Sequence, residues 1–300
     1  MEEIKAFVKT QKPEISEKTL TGYASNLRLL YKSIFPEDKS FDVDKLLSKD
    51  VNEYIEFVKS QNKSSSYVRN MLSALQVVFK NKELTKAITK NSEEEKVVAE
   101  NQEATPYIKS HHITQEQIDQ RYEELKNEVE PIWTKPDWNM DDFQKLQQYI
   151  MYCLVCGKFL APRRSRDWYD FKLRNIDLDK DNYLDGKVLV FNSYKNFKNK
   201  GQQRVQCPPE LYRILRKWIR FNKLPWLLVN VKLEPLTAVS YGQKLNNIMG
   251  VPSGRTAGFS TNNWRHVYLT NKYSNTLDLK QDMKNMGSSI GVAHHYIKKI

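Results

Sequence analysis

The sequence predicts a mainly α protein, with an N-terminal helical domain and a mostly helical second domain carrying one small antiparallel β-sheet. Apolar residues recur at three- and four-residue spacing through most of the chain. Glycine is only 10 of 300 residues and proline 11, too few for a Gly-rich barrel or low-complexity linkers. Extended segments fall only between residues 171 and 206. The length suggests two domains. With 40% hydrophobic and 28% charged residues, the chain reads as folded rather than disordered.

The first domain spans residues 1–100. Leu20, Tyr23, Leu27, Leu30, Tyr31 and Ile34 lie at helical spacing, as do Val51, Tyr54, Ile55 and Val58. Val68, Met71, Leu72, Leu75, Val78 and Phe79 make a third stripe. Asp50 and Ser64–Ser66 stand where N-caps are wanted. The period fades after Lys90, and residues 101–112 read as a linker containing Pro106. Helix resumes at Thr114, with Gln117 three later in capping-box spacing. Residues 141–160 form a stronger helix, with Phe143, Leu146, Tyr149, Ile150, Cys153 and Leu154 on one face. Residues 171–177, 187–192 and 202–206 read as short extended segments, and 196–201 as a hairpin tip. Pro208 and Pro209 open a helix with Leu211, Leu215 and Trp218 on one side and Arg213, Arg216, Lys217 and Arg220 on the other. Short helices complete the second domain, 113–300.

A net charge of +12 points to a polyanionic partner, nucleic acid first and an anionic membrane surface second. No helix joins a basic face to surplus exposed apolar residues, which disfavours the membrane. No stretch reaches the ~20 apolar residues of a membrane span. The opening MEEIKAFVKT is not a secretory signal. Three cysteines make no disulfide framework, so an intracellular, reduced location is expected. Cys153 and Cys156 sit inside an apolar helix and read as core. His111–His112 and His294–His295 are adjacent pairs, which chelate poorly. Nucleotide-binding and nucleophile-elbow motifs are absent, and the acidic residues are scattered. Neither a metal nor a cofactor is expected.

Four segments remain that could carry chemistry: APRRSRDWYDFKLRNID (161–177), KVLVFNSYKNFKNKGQQRVQCPPEL (187–211), TNNWRHVYLTNKY (261–273) and MGSSIGVAHHYIKKI (286–300). In order and spacing they resemble the catalytic boxes of tyrosine recombinases, the phage-integrase-like family of viruses and mobile elements. Alignment on Ile176–Asp177 places the family's first arginine at Arg164 and its acidic partner at Asp167. The hairpin lysine matches Lys195, with Lys198 and Lys200 as rivals. The His-x-x-Arg box reads Asn262 to Arg265, followed by His266. The Gly-His-Ser box reads Gly287-Ser288-Ser289, with the tyrosine at Tyr296. Both family histidines are thus replaced, by Asn262 and Ser288, and His266, His294 or His295 are candidates to take over.

The resemblance covers about residues 15–300 and implies a core-binding domain followed by a catalytic domain, together clamping DNA. It implies a metal-independent DNA strand transferase that cuts and rejoins DNA through a 3′-phosphotyrosyl intermediate. The implied catalytic residues are Arg164, Lys195, Asn262, Arg265, Ser288 and Tyr296, supported by Asp167, His266 and His295. Arg69, Lys198, Lys200 and Arg204 are candidate DNA contacts. Double-stranded recombination sites are the expected partners, with a homo-tetramer on synapsed DNA and a monomer or dimer otherwise. A type IB topoisomerase and a catalytically weakened DNA-binding descendant are the alternatives.

Overall fold

The computed structural model describes residues 1–100, 109–110, 112–250, 260–273 and 279–297. The chain is mainly α, with one three-stranded antiparallel sheet. It divides into two compact units, Met1–Asn101 and Gln102–Ile300.

Six helices make the first unit: α1 (Glu2–Gln11), α2 (Glu17–Ile34), α3 (Val43–Ser48), α4 (Val51–Ser60), α5 (Ser65–Phe79) and α6 (Lys82–Glu100). Their starts follow local chemistry. The side chains of Ser16, Asp42, Asp50 and Ser64 each accept a backbone N–H of the first turn, satisfying a donor that has no partner inside the helix. α5 is central and buries Val68, Met71, Leu72, Ala74, Leu75 and Val78. It packs on α2, α4 and α6. The sequence pattern did not mark α1 or α3. α1 buries only Ile4 and Val8 and α3 only Leu46, too few apolar positions to set a period.

The second unit is built around α8 (Met140–Val155), in which residues 149–155 are all buried. α7 (Gln115–Val129) packs on it and starts with the capping box of Thr114 and Gln117. α8 stops short of residue 160 because Gly157 turns left-handed, at φ +81°. A Cβ there would lie 2.4 Å from the ring of Tyr268, so glycine also allows a close approach. Cys153, Cys156 and Cys207 are buried and free. Burial pushes all three thiols up, Cys156 and Cys207 to about 12.

The sheet runs β1 (Tyr183–Asp185), β2 (Val188–Phe191) and β3 (Gln203–Gln206), in that order, with Leu184 opposite Leu189 and Val190 opposite Arg204. β2 and β3 lie within the extended segments 187–192 and 202–206. The segment 171–177 is not a strand. Only Lys172 bridges, to Tyr183 and Trp226, and the left-handed Asn175 at φ +53° turns the chain away. The hairpin tip holds one helical turn, α9 (Phe197–Lys200), closed by Gly201 at φ +64°. Beyond it come α10 (Pro209–Phe221), α11 (Ala238–Ile248), α12 (Thr261–Lys272), α13 (Leu279–Asn285) and a 3₁₀ turn, Ile290–His295. Most of the 101–112 linker, including His111, lies outside the described residues, as does the side chain of His294.

Candidate active site

Arg265 lies on α12, whose start is fixed by a capping box between Ser260 and Asn263. Its side chain is fully buried. One guanidinium nitrogen, Nη1, donates to the Tyr296 hydroxyl at 2.9 Å, and Nη2 donates to the Met286 carbonyl at 3.3 Å. The guanidinium also lies 4.5 Å from the Tyr296 ring centre. Its Nε is buried and makes no hydrogen bond among the described residues. Burial pulls the arginine down to about 10, opposed chiefly by its neighbour Tyr296. It remains a cation at neutral pH, aimed at a phenol oxygen.

Tyr296 caps the 3₁₀ turn Ile290–His295. Its carbonyl accepts His266 Nδ1 at 2.9 Å and Thr270 Oγ1 at 3.4 Å, one turn apart on α12. The two rings are 5.1 Å apart. His266 therefore holds the tyrosine's backbone while Arg265 holds its hydroxyl.

The segment that ends α13 collects the other basic groups. Gly287 adopts φ +68°, a left-handed helix end that suits glycine. The carbonyls of residues 285–288 emerge there with no helical partner of their own. Arg163 donates to the Asn285 carbonyl, Arg265 to Met286, and Asn196 and Arg164 to Gly287, at 3.0 and 3.4 Å. Lys200 Nζ donates to the Ser288 carbonyl at 2.9 Å. Four cations from three separate boxes thus converge on four consecutive peptide groups. Such charges favour a helix C-terminus, and the same donors suit phosphate oxygens.

Arg163 carries no role in the sequence reading, yet it is fully buried. Its Nε donates to Asp167 Oδ2 at 2.8 Å, Nη2 donates to Gln203 Oε1 at 2.8 Å, and the guanidinium lies 3.8 Å from the Phe191 ring centre. Asp167 therefore pairs with Arg163, four residues back, rather than with Arg164. Burial pushes the Asp167 carboxyl up, opposed by Arg163. The half-buried Arg164 is left to face Gly287. Asn182 ties this box to the hairpin. Its amide donates to the carbonyls of Asp167 and Ser193, and its oxygen accepts the N–H groups of Asn192 and Ser193.

The remaining candidates are dispersed. Lys195 and Lys198 are exposed, and of the three hairpin lysines only Lys200 bonds the 285–288 segment. Asn262 is exposed on the first turn of α12, three residues before Arg265, whereas neighbouring Asn263 is committed to the cap. Ser288 is buried, and His295 is exposed. Arg69 pairs with Glu95 and Arg204 with Asp185, both at the surface. Among the described residues no three His, Cys, Asp or Glu side chains come together as a metal site, and no helix is long and apolar enough to cross a membrane.

No protein-family model and no curated protein matches the sequence. Solved structures do. The chain is similar to the Tn1549 transposon integrase in complex with transposon right end DNA, with 14% identity over 99% of this chain and 94% of that chain and a TM-score of 0.59. A lambda integrase tetramer bound to a Holliday junction aligns at 13% identity, over 98% of this chain and 75% of that one, with a TM-score of 0.52. The XerH site-specific recombinase bound to a palindromic difH substrate aligns at 14% identity, over 92% and 75%, with a TM-score of 0.50. The architecture agrees, and the chain has the fold of the tyrosine recombinases and integrases.

Proposed function

We propose that this protein is a site-specific DNA recombinase that cuts and rejoins double-stranded DNA through a covalent link to Tyr296. The contact between the Arg265 guanidinium and the Tyr296 hydroxyl, 2.9 Å long, carries the reading. It sets a buried cation against the hydroxyl of a tyrosine 31 residues away in sequence, and the same guanidinium bonds the 285–288 segment that Arg164 and Lys200 also bond.

In this reading the tyrosine oxygen attacks a backbone phosphate. A P–O bond to Tyr296 forms as the P–O5′ bond breaks, the phenol releases its proton and the leaving 5′-oxygen gains one. Arg265 and Arg164 hold the non-bridging oxygens and stabilise the charge that grows in the transition state. Lys200 is the general acid. We prefer it to Lys195 because its ammonium already reaches the 285–288 segment. Asn262 and Ser288 supply hydrogen bonds where the family pattern has histidines. His266 positions Tyr296 through its carbonyl, and Asp167 positions the first box through Arg163. Reversal with a different 5′-hydroxyl rejoins the strand. Assembly of four protomers on two sites is the arrangement proposed for exchange.

The test is a nicked suicide duplex carrying the terminal repeats of the element that encodes the protein, incubated in EDTA with wild type and Tyr296→Phe. An SDS-resistant adduct that the variant loses supports the reading. Tight, salt-sensitive binding of the same duplex with no adduct from wild type would leave a DNA-binding descendant without cleavage. Relaxation of plasmid lacking the repeats would favour a type IB topoisomerase.

A further inference from the structure

Helix α10 has two opposed faces. Leu211, Leu215 and Trp218 are buried in the core of the second unit. Arg213, Arg216, Lys217 and Arg220 are all exposed and lie on the opposite side, within an arc of about 100°. At 1.5 Å per residue they form a stripe about 10 Å long. Lys223 extends it just past the helix end. None of these five side chains forms an ion pair among the described residues. Some exposed cations of the same unit do find carboxylates, Lys158 with Asp119, Lys272 with Asp282 and Arg204 with Asp185. Arg166, Lys195, Lys198 and Lys232 are exposed and form no ion pair among the described residues, but none of those four shares a helix face with another. Four like charges three and four residues apart repel one another and suit a polyanion.

Helix α10 starts at the end of the β2–β3 hairpin opposite the Lys200 loop. Lys200 lies in the β2–β3 loop, at one end of the hairpin. α10 leaves the other end, where Val188 pairs with Gln206 and Lys187 lies 5.9 Å from the Tyr212 ring. The two ends are about 10 Å of strand apart. The buried face of α10 then turns the stripe away from the core. We propose that this stripe is a second phosphate-binding face, which takes the backbone of a DNA duplex other than the one at Tyr296. The inference rests on the DNA reading above. It names DNA rather than an acidic protein because none of the large apolar side chains exposed among the described residues belongs to α10. A protein partner uses such anchors, whereas a phosphate backbone needs only cations.

The test is the triple variant Arg213→Gln, Arg216→Gln, Arg220→Gln, whose three sites are exposed and leave the core intact. One short duplex is immobilised, and a second of unrelated sequence, separately labelled, is offered in solution. Wild type retains the first and recruits the second. The variant retains the first to within about twofold and recruits the second at least about tenfold less, and the salt dependence of recruitment falls by about 2.7 in log–log slope. Equal loss of both duplexes would overturn the proposal by placing the stripe in the main interface. Unchanged recruitment would reduce it to solvated charge. Loss confined to a polyglutamate peptide offered in place of the second duplex would make the partner an acidic protein. Wild type that retains no first duplex would instead remove the DNA reading itself, and the inference with it.

Discussion

At the scale of single residues, the proposed mechanism divides the site into groups that would act on the phosphate and groups that hold them. Arg265→Ala removes the donor on Tyr296, and single-turnover adduct formation on a suicide duplex should fall by about 10²–10³. Lys200→Ala should slow cleavage by about 10²-fold or more. A substrate with sulfur at the bridging 5′ position, whose leaving group needs no proton, should restore the rate. Lys195→Ala should leave the rate nearly unchanged, and the reverse pattern would move the general acid back to Lys195. Arg163→Ala leaves Asp167 buried without its partner and should cost about 3–5 kcal/mol in a urea melt. The sequence showed the spacing of Arg164, Asp167, Arg265 and Tyr296 but not the part played by Arg163. Of two adjacent arginines, the one that becomes buried is chosen by Phe191 and Gln203, which come from another element. The sequence puts Lys195 first among three similar lysines in a lysine-rich tip, with Lys198 and Lys200 as rivals. Which of them bonds Ser288 depends on the turn of α9, which brings Lys200 there.

At the scale of elements, α12 and α13 are joined through one carboxylate. Asp282 Oδ2 accepts the hydroxyls of Tyr268 and Tyr273 and the ammonium of Lys272. This clamp fixes where α13 ends, and hence where the carbonyls of 285–288 stand. Burial pushes the Asp282 carboxyl up, but its three donors outweigh that and hold it below the usual carboxylate range. The stabilisation is therefore complete above its unfolded value, about 3.9, and is lost as pH falls through the lower folded value. Asp282→Asn should melt lower at neutral pH in thermal unfolding, and its stability should vary less than wild type below about pH 4. Elements with side-chain caps and several buried apolar positions were readable from sequence, α5 and α7 above all. The first strand was not. Three residues cannot display alternation, and the better-looking segment 171–177 spends its backbone N–H groups elsewhere, those of Leu173 and Arg174 on the Pro225 carbonyl.

At the scale of the whole molecule, the two units have separate cores. The first gathers Val8, Leu27, Tyr54, Leu72, Leu75 and Leu84, all from residues before Asn101. A chain of residues 1–101 should therefore fold alone, with one cooperative transition by circular dichroism in urea. A sloping, non-cooperative curve would show that it borrows stability from the second unit. The excess of 12 positive charges belongs to the full chain. Surface pairs such as Arg69–Glu95 and Arg204–Asp185 neutralise part of the cationic surface. This is why composition points to a polyanionic partner class while individual contacts have to be read from the fold.

The carbonyls of residues 285–288 give this site an unusual tolerance. Its cations are held by main-chain oxygens, which every amino acid supplies. The carbonyls at 285, 286 and 288 would therefore keep Arg163, Arg265 and Lys200 in place through any side-chain change that preserved the backbone, although Met286 and Ser288 are themselves buried. Gly287 is the exception, because its left-handed backbone sets the path of the whole run. The heritable information in this segment lies in the course of the chain more than in the identity of its residues.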